Sequence, residues 1–371
     1  MRLSPRLHML LLAAVVAALG ACFLQEPVLG DDLTYWNFAY NLHALGLTAW
    51  PRLDFYSLRW PVWGVCWLLQ ALCGPGLASY WGVALIYLGA GAALSFFFAR
   101  RLTSSVLAGW SCGLVFLFHP FLDAVAYCPM PDLSESVWGA AAMIAWWKLM
   151  MAEEPRRRWI FAAVLGLLVV VLEANRLTGV FLIPVLVVCT ALFFRRRFGW
   201  LIGAGCFALI LYAAECALYR HLFGNWLHDL NANALNKGAK GTELLQPWLL
   251  PFRFLDSFWN GAFTRAYSVF ALIGSVFAWR KGGRLGRVLV IWTFGLLLEY
   301  SCALQSLSPI RPLVRDAARF LSALAVPMSV LALLGVWRLV ALVRQKFPGT
   351  RFAAAQAGLP IAMSTWLLAA V

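Results

Sequence analysis

The chain has 371 residues, of which 63% are hydrophobic and 12% are charged. This composition, with apolar runs long enough to cross a bilayer, excludes an ordinary soluble domain and predicts a membrane protein with many spans. The net charge of +14 does not indicate nucleic-acid binding. The lysines and arginines form short clusters between apolar runs, and this is the pattern that orients membrane helices.

The arginine-rich clusters set the predicted topology, and we place all of them on the cytoplasmic side of the inner (cytoplasmic) membrane. They begin at Arg100, Arg156, Arg195, Arg280 and Arg344. About eleven spans are predicted, at residues 8–25, 79–99, 103–119, 133–151, 159–173, 177–194, 199–219, 263–279, 288–307, 317–342 and 353–371. The N-terminus is then cytoplasmic. The first apolar run is interpreted as an uncleaved anchor, although its end at Cys22 resembles a lipoprotein signal.

One apolar stretch, 61–74, has only 14 residues and is too short to span. We expect it to form an interfacial helix on the outer surface, within a long first external loop at 26–78. A second external loop is predicted at 220–262, and no separate soluble domain is evident. The sequence therefore predicts an all-α, polytopic transmembrane fold in a single domain, 1–371.

This topology gathers most of the acidic residues on the external face. Asp31 and Asp32 open a stretch in which apolar and aromatic residues recur at helical spacing, so they are predicted to begin an interfacial helix. Asp132 and Glu135 form a second external cluster at the start of the fourth span. Acidic residues also favour the first turn of a helix because of its dipole, and that simpler role stays open for both pairs.

Four external arginines run against the orientation rule. Arg176 follows Glu173 at the outer end of the fifth span, and Arg311, Arg315 and Arg319 lie at the start of the tenth. Arginine is suited to binding phosphate through two hydrogen bonds, so these side chains are candidates for an anion site. A salt bridge to Glu173, in the first case, or contact with lipid headgroups would explain them as well.

Five short motifs follow one another along the chain. They are GDD at 30–32, RWPVWGVCWLLQALCGPG at 59–76, YLGAGAALSFFFARRL at 87–102, PMPDLSESVWGAAAMIAWWKLM at 129–150 and ARFLSALAVP at 318–327. Their order and spacing resemble the GT-C superfamily of polytopic lipid-linked glycosyltransferases, in particular the bacterial branch related to protein O-mannosyltransferases and lipid A aminoarabinose transferases. The resemblance covers most of 26–200 and a patch near 311–330. The chain departs from it at Asp32, where many members have glutamate, and at Arg176, where many have lysine or another polar residue.

The resemblance implies an enzyme that transfers a sugar from a polyprenyl-phosphate carrier to an acceptor at the outer face of the membrane, with inversion at the anomeric carbon. It implies that Asp31 is the base that removes the acceptor proton and that Asp32 assists or orients it. Asp132 and Glu135 would complete the acidic site. The implied partners are the polyprenyl-phosphate sugar and membrane lipids, and the acceptor is not indicated.

The departing polyprenyl phosphate carries negative charge that the enzyme must stabilise. Arg176, Arg319 and Arg315 are the side chains that the resemblance suggests for this role. A divalent metal ion is a further means of neutralising that charge.

Other functional classes stay open. A transporter or flippase would carry ionisable residues near the middle of the membrane. Glu215 and Glu299 lie within spans, but most acids here are external and no inverted repeat is evident. A ligase or polymerase of envelope polysaccharide need not carry an acidic pair directly after the first helix. A purely structural membrane protein is the least favoured interpretation.

Overall fold

A computed structural model describes residues 4–24, 26–27, 30–46, 55–122, 127–232, 247–307, 310–314 and 318–346. The helices are α1 (Pro5–Ala21), α2 (Asp31–Leu45), α3 (Trp60–Cys73), α4 (Leu77–Thr103), α5 (Val106–Leu117), α6 (Pro131–Met151), α7 (Pro155–Asn175), α8 (Leu182–Phe193), α9 (Phe198–Phe223), α10 (Leu255–Trp259), α11 (Ala262–Lys281), α12 (Gly283–Cys302) and α13 (Ala325–Lys346). Short 3₁₀ turns precede α3, α8 and α13, at Phe55–Leu58, Leu177–Phe181 and Ala318–Leu324.

Within the described residues, six helical segments are long and apolar enough to cross a membrane. They are Leu77–Thr103, Pro155–Asn175, Arg195–Phe223, Ala262–Lys281, Gly283–Cys302 and Arg319–Val343. Shorter apolar helices lie at Pro5–Ala21, Trp60–Cys73, Val106–Leu117 and Leu177–Phe193. Each predicted span from 8–25 to 317–342 coincides with a helix over most of its length, and 353–371 lies outside the described residues. The chain is therefore a multi-pass, predominantly helical membrane protein, as predicted.

The span predicted at 288–307 is wrong at its end. Helix α12 ends at Cys302, and Leu304–Leu307 forms a short strand, β1, which pairs antiparallel with β2 (Ile310–Pro312). The Ala303 carbonyl accepts a hydrogen bond from the Leu313 N–H at 2.9 Å, so the backbone pairs with the returning segment from the point where the helix ends. The sequence prediction overlooked this turn because the residues from Ala303 to Leu307 are still largely apolar.

Glycines allow α11 and α13 to approach backbone to backbone. A β-carbon on Gly274 of α11 would collide with the carbonyl group of Leu331, and one on Gly335 of α13 would collide with the carbonyl oxygen of Phe270. Small residues at such crossings are common in membrane proteins, because close packing must replace the hydrophobic effect between helices that are surrounded by lipid. Helices α11 and α13 therefore form a closely packed pair.

The first predicted external loop is mostly helical. Helix α3, which covers the stretch expected to be interfacial, packs against α2 and α4. The rings of Phe38 on α2 and Trp63 on α3 meet edge to face at 4.8 Å, and the Tyr87 hydroxyl of α4 donates a hydrogen bond to the Pro61 carbonyl at 2.7 Å. These contacts fix the start of α2, where the acidic pair lies.

Candidate active site

The acidic pair lies in the first turn of α2, as predicted, with Gly30 at the N-cap position. Neither carboxylate therefore occupies the capping position. Both are partly exposed, and each accepts a hydrogen bond from a tyrosine. The Tyr56 hydroxyl donates to Asp31 Oδ1 at 2.7 Å, and the Tyr80 hydroxyl donates to Asp32 Oδ2. The positive end of the helix dipole also favours negative charge here. The pair is thus held in place by hydrogen bonds from two tyrosine hydroxyls.

Arg59 lies beside this pair and was not among the residues that the sequence suggested. Its Nη1 donates a hydrogen bond to the Tyr35 hydroxyl at 2.6 Å, and the Tyr35 ring packs 5.3 Å from the ring of Tyr56. Burial raises the pKa of Tyr35 above its ordinary value, Arg59 opposes that shift, and the charges of Asp31 and Asp132 add to it. The signal available in the sequence was an external arginine that opens the second motif.

The second acidic cluster is buried and holds Arg176. Asp132 and Glu135 are 1% and 2% exposed, and both lie near the start of α6. Arg176 Nη1 is 2.7 Å from Asp132 Oδ1 and 3.4 Å from Glu135 Oε2. The alternative partner of Arg176, Glu173, is not in an ion pair with it within the part of the chain that the structure describes.

Neutral donors complete the surroundings of Glu135. Its Oε1 accepts hydrogen bonds from the Tyr300 hydroxyl at 2.7 Å and from Thr178 Oγ1 at 2.8 Å. Close by, Ser322 Oγ donates to the Asp132 backbone carbonyl at 3.0 Å, which ties the turn before α13 to α6. Residues from α6, α12 and the segments before α8 and α13 thus meet at one point. None of these hydroxyl partners was predicted, because they lie far from α6 in the sequence.

Arg176 and Arg319 both pack against the ring of Phe320. The guanidinium carbon of Arg176 is 4.2 Å from the ring centroid and that of Arg319 is 5.3 Å from it. Burial alone would lower the pKa of Arg176, but the carboxylates of Asp132 and Glu135 outweigh burial and raise it, so the guanidinium stays charged.

Arg319 differs from Arg176 in its surroundings. It is partly exposed, and it is paired with no carboxylate among the described residues. Arg315 and the side chain of Arg311 lie outside the described residues.

Cys128 connects the two acidic regions. Burial, together with smaller contributions from the charges of Asp32 and Asp132 and against that of Arg319, raises the pKa of the Cys128 thiol to about 12. One thiol therefore lies within electrostatic reach of a residue from each predicted group. The partly exposed aspartates, the buried cluster and Arg319 belong to one region at one end of the helical bundle.

The residues described here do not form a metal site. Among them, no three histidine, cysteine, aspartate or glutamate side chains lie close enough together to hold a metal ion. The two carboxylates of Asp31 and Asp32 are two oxygen ligand groups at most, and each already accepts a hydrogen bond from a tyrosine. A divalent ion usually takes several more ligands.

Comparison with solved structures identifies the fold. The chain matches the crystal structure of ArnT from Cupriavidus metallidurans bound to undecaprenyl phosphate, with a TM-score of 0.63. The two proteins share a fold. The match covers 95% of this chain and 64% of ArnT, at 13% sequence identity, so this chain spans less than two thirds of the length of its structural relative. The polytopic helical membrane fold expected from the sequence is confirmed, and it is the fold of ArnT. The sequence matches no protein-family model and no curated protein sequence.

Proposed function

We propose that this protein is an integral membrane glycosyltransferase that transfers a sugar from a polyprenyl-phosphate donor to an acceptor at the outer face of the cytoplasmic membrane. The observation that carries the proposal is the fold shared over 95% of the chain with ArnT, whose crystal structure has undecaprenyl phosphate bound. Fold alone does not specify chemistry. The acidic pair at the start of α2 supports the proposal independently, because it provides carboxylates that remain partly exposed.

In the proposed reaction Asp31 is the general base. The acceptor hydroxyl gives its proton to the Asp31 carboxylate as its oxygen attacks the anomeric carbon. The bond between that carbon and the phosphate oxygen breaks, and polyprenyl phosphate leaves with the bonding electron pair. The Tyr56 hydroxyl binds Oδ1 of Asp31, which directs Oδ2 toward the acceptor. Asp32, held by Tyr80, keeps a second negative charge beside the positive charge that develops on the sugar.

The arginines have unequal roles in this proposal. Arg319 is partly exposed and is paired with no carboxylate among the described residues, so it is the better candidate to bind the leaving phosphate. Arg176 is 8% exposed and already paired with Asp132 and Glu135. In the proposal these two carboxylates hold Arg176 as a positioning group behind Phe320. Arg315 keeps its predicted phosphate-binding role.

The experiment supplies purified full-length protein in lipid vesicles with labelled polyprenyl-phosphate hexoses and pentoses and a panel of acceptors. It measures the release of polyprenyl phosphate. Asp31→Asn should lower turnover by about 10²- to 10⁴-fold, the usual contribution of a general base. Glu26→Gln is the matched control, because it removes an exposed carboxylate from the same loop, and it should keep turnover within about twofold of the unmodified protein.

Folding of each variant is checked by gel filtration and by its unfolding midpoint. Full turnover by folded Asp31→Asn would remove the base assignment. Transport of the lipid-linked sugar without cleavage would replace the proposal by a flippase. Orientation is tested separately by labelling Asp32→Cys with a membrane-impermeant maleimide, which we expect to react from the outside of intact cells.

A further inference from the structure

A concave site lies at the end of the bundle opposite to the candidate active site. It is a cavity of about 580 Å³ between α4, α6 and α7, which we name the basic pocket. Its lining includes four cations, Arg100, Arg101, Lys148 and Arg157, and two acids, Glu153 and Glu154. Four positive side chains against two negative ones leave a net charge of +2. The basic pocket therefore attracts anions.

Three of these cations are not neutralised by protein groups. Arg157 Nε is 2.8 Å from Glu154 Oε2, so these two charges offset each other at the rim. Arg100, Arg101 and Lys148 have no carboxylate within 4.0 Å anywhere in the residues that the structure describes. Lys148 makes a cation–π contact, in which its Nζ lies 5.7 Å from the ring centroid of Phe161.

Neighbouring arginines at the same end behave differently. Arg158 Nε donates a hydrogen bond to the Ala152 carbonyl at 2.9 Å, and Arg197 Nη1 donates to the same oxygen at 2.8 Å. These two side chains satisfy carbonyl groups at the C-terminal end of α6, which a helix leaves without internal partners. Orientation of the protein in the membrane explains why cations gather at this end. It does not explain why three of them line one cavity from two helices.

The wall of the basic pocket is apolar and aromatic. Phe97, Trp147, Met151 and Phe161 line it together with the cations. Outside the basic pocket, Ile160 is 51% exposed on α7, as expected of a helix that faces lipid. The site thus combines charge suited to a phosphate with a surface suited to hydrocarbon. An amphiphile fits this combination better than a free ion does.

The basic pocket is remote from the candidate active site. Tyr80, which binds Asp32, and Arg100 lie on the same helix, α4, twenty residues apart, and this corresponds to about 30 Å at 1.5 Å per residue. That distance equals the thickness of the hydrocarbon core of a bilayer. The two sites therefore face opposite membrane surfaces, and a donor bound beside the aspartates would not reach the basic pocket with its phosphate.

We propose that the basic pocket binds the phosphate headgroup of an anionic membrane phospholipid. Arg100, Arg101 and Lys148 contact the phosphate, and the acyl chains leave along the aromatic wall. Basic pockets between transmembrane helices, at the end of the protein where its cations gather, are suited to anionic headgroups. This inference does not depend on the proposed glycosyltransferase reaction.

Native mass spectrometry of the full-length protein in mild detergent tests the proposal. The protein is titrated with phosphatidylglycerol and, separately, with phosphatidylcholine of the same acyl chains. We expect phosphatidylglycerol to bind at least tenfold more tightly. The triple variant Arg100→Gln/Arg101→Gln/Lys148→Gln should weaken phosphatidylglycerol binding on the order of 100-fold, because each cation near an anionic headgroup raises the affinity about fivefold.

The matched control is Arg195→Gln/Arg196→Gln/Arg280→Gln, which removes three exposed arginines outside the basic pocket from the predicted cytoplasmic clusters. It should weaken binding by less than about threefold. Should the first triple variant fail to fold, Lys148→Gln alone changes one exposed side chain and should weaken binding about fivefold. Equal losses in the variant and the control, or equal affinity for both lipids, would overturn the proposal. Inorganic phosphate that displaces the lipid at equal concentration would show a phosphate site instead of a lipid site.

Discussion

Asp31 and Asp32 share with Asp132 and Glu135 a position near the start of a helix, but the two pairs differ in burial and in partners. The first pair is partly exposed and accepts hydrogen bonds from tyrosine hydroxyls. The second pair is buried and surrounds a guanidinium. A tyrosine hydroxyl binds one carboxylate oxygen without adding a positive charge, and a substrate can still approach the partly exposed side chain. In the second pair, the buried guanidinium of Arg176 neutralises the negative charge inside the protein.

In the proposal, the first pair therefore acts in catalysis and the second pair stabilises the fold. A base must reach its substrate within hydrogen-bond distance, so partial exposure suits Asp31. A buried ion pair is costly to break, because removing one partner leaves an uncompensated charge away from water. The buried cluster links α6 to the segments before α8 and α13 and to α12. We therefore expect mutations in the two regions to act on different measurable quantities.

The largest expected effect is on stability, in the buried cluster. Arg176→Met leaves two buried carboxylates without their cation and should lower the free energy of unfolding by about 3–5 kcal/mol. Unfolding of the purified protein in detergent measures it. Arg319→Met is the control, because it removes an arginine that packs on the same Phe320 ring and should cost about 1 kcal/mol at most. Equal losses for the two variants would contradict the comparison.

A double-mutant cycle tests whether Arg176 and Asp132 act as one unit. Arg176→Met and Asp132→Asn are each expected to lower the free energy of unfolding. The loss in the double variant should be smaller than the sum of the two single losses by about 1–3 kcal/mol. The corresponding cycle of Arg176→Met with Asp31→Asn should be additive within about 0.5 kcal/mol. Coupling of similar size in both cycles would show that the two acidic regions are one electrostatic unit.

A smaller effect is expected at the exposed pair. Tyr56→Phe removes the hydroxyl that binds Asp31, which should lower turnover about 2- to 10-fold and leave stability within about 1.5 kcal/mol of the unmodified protein. The assay is the release of polyprenyl phosphate. Tyr40→Phe is the control, because Tyr40 is 44% exposed on α2, the helix that carries Asp31, and its ring stacks on that of Trp36. A loss of stability without any loss of turnover would make Tyr56 a structural residue.

The last test measures how the reactivity of Cys128, which lies near both acidic regions, depends on pH. A variant that keeps Cys128 as its only cysteine is labelled with a maleimide at rising pH. Only the thiolate reacts, and a pKa of about 12 means that its fraction rises about tenfold for each pH unit. The labelling rate should therefore still be rising at pH 10. A plateau near pH 9, the behaviour of an ordinary thiol, would contradict the raised pKa of Cys128.

Much of the fold could be predicted from the sequence. The apolar runs and arginine clusters located the helices to within a few residues, and the acidic pair was correctly placed in the first turn of α2. The prediction was wrong at 303–307, where the sequence stays largely apolar beyond the end of the helix. Hydrophobicity reports on the surroundings of a segment, whereas the residues after this helix pair with a segment further along the chain as β1 and β2.

The sequence by itself determined that the chain is a polytopic membrane protein and which of its scarce charges merit attention, since a charge is costly beside hydrocarbon wherever the chain folds. Only the tertiary structure decided what each charge does. Arg176 lies 41 to 44 residues from the carboxylates that bind it, and Tyr56 and Tyr80 lie 25 and 48 residues from theirs. Helical periodicity relates residues three or four positions apart, so partners at these separations are set by the packing of whole helices.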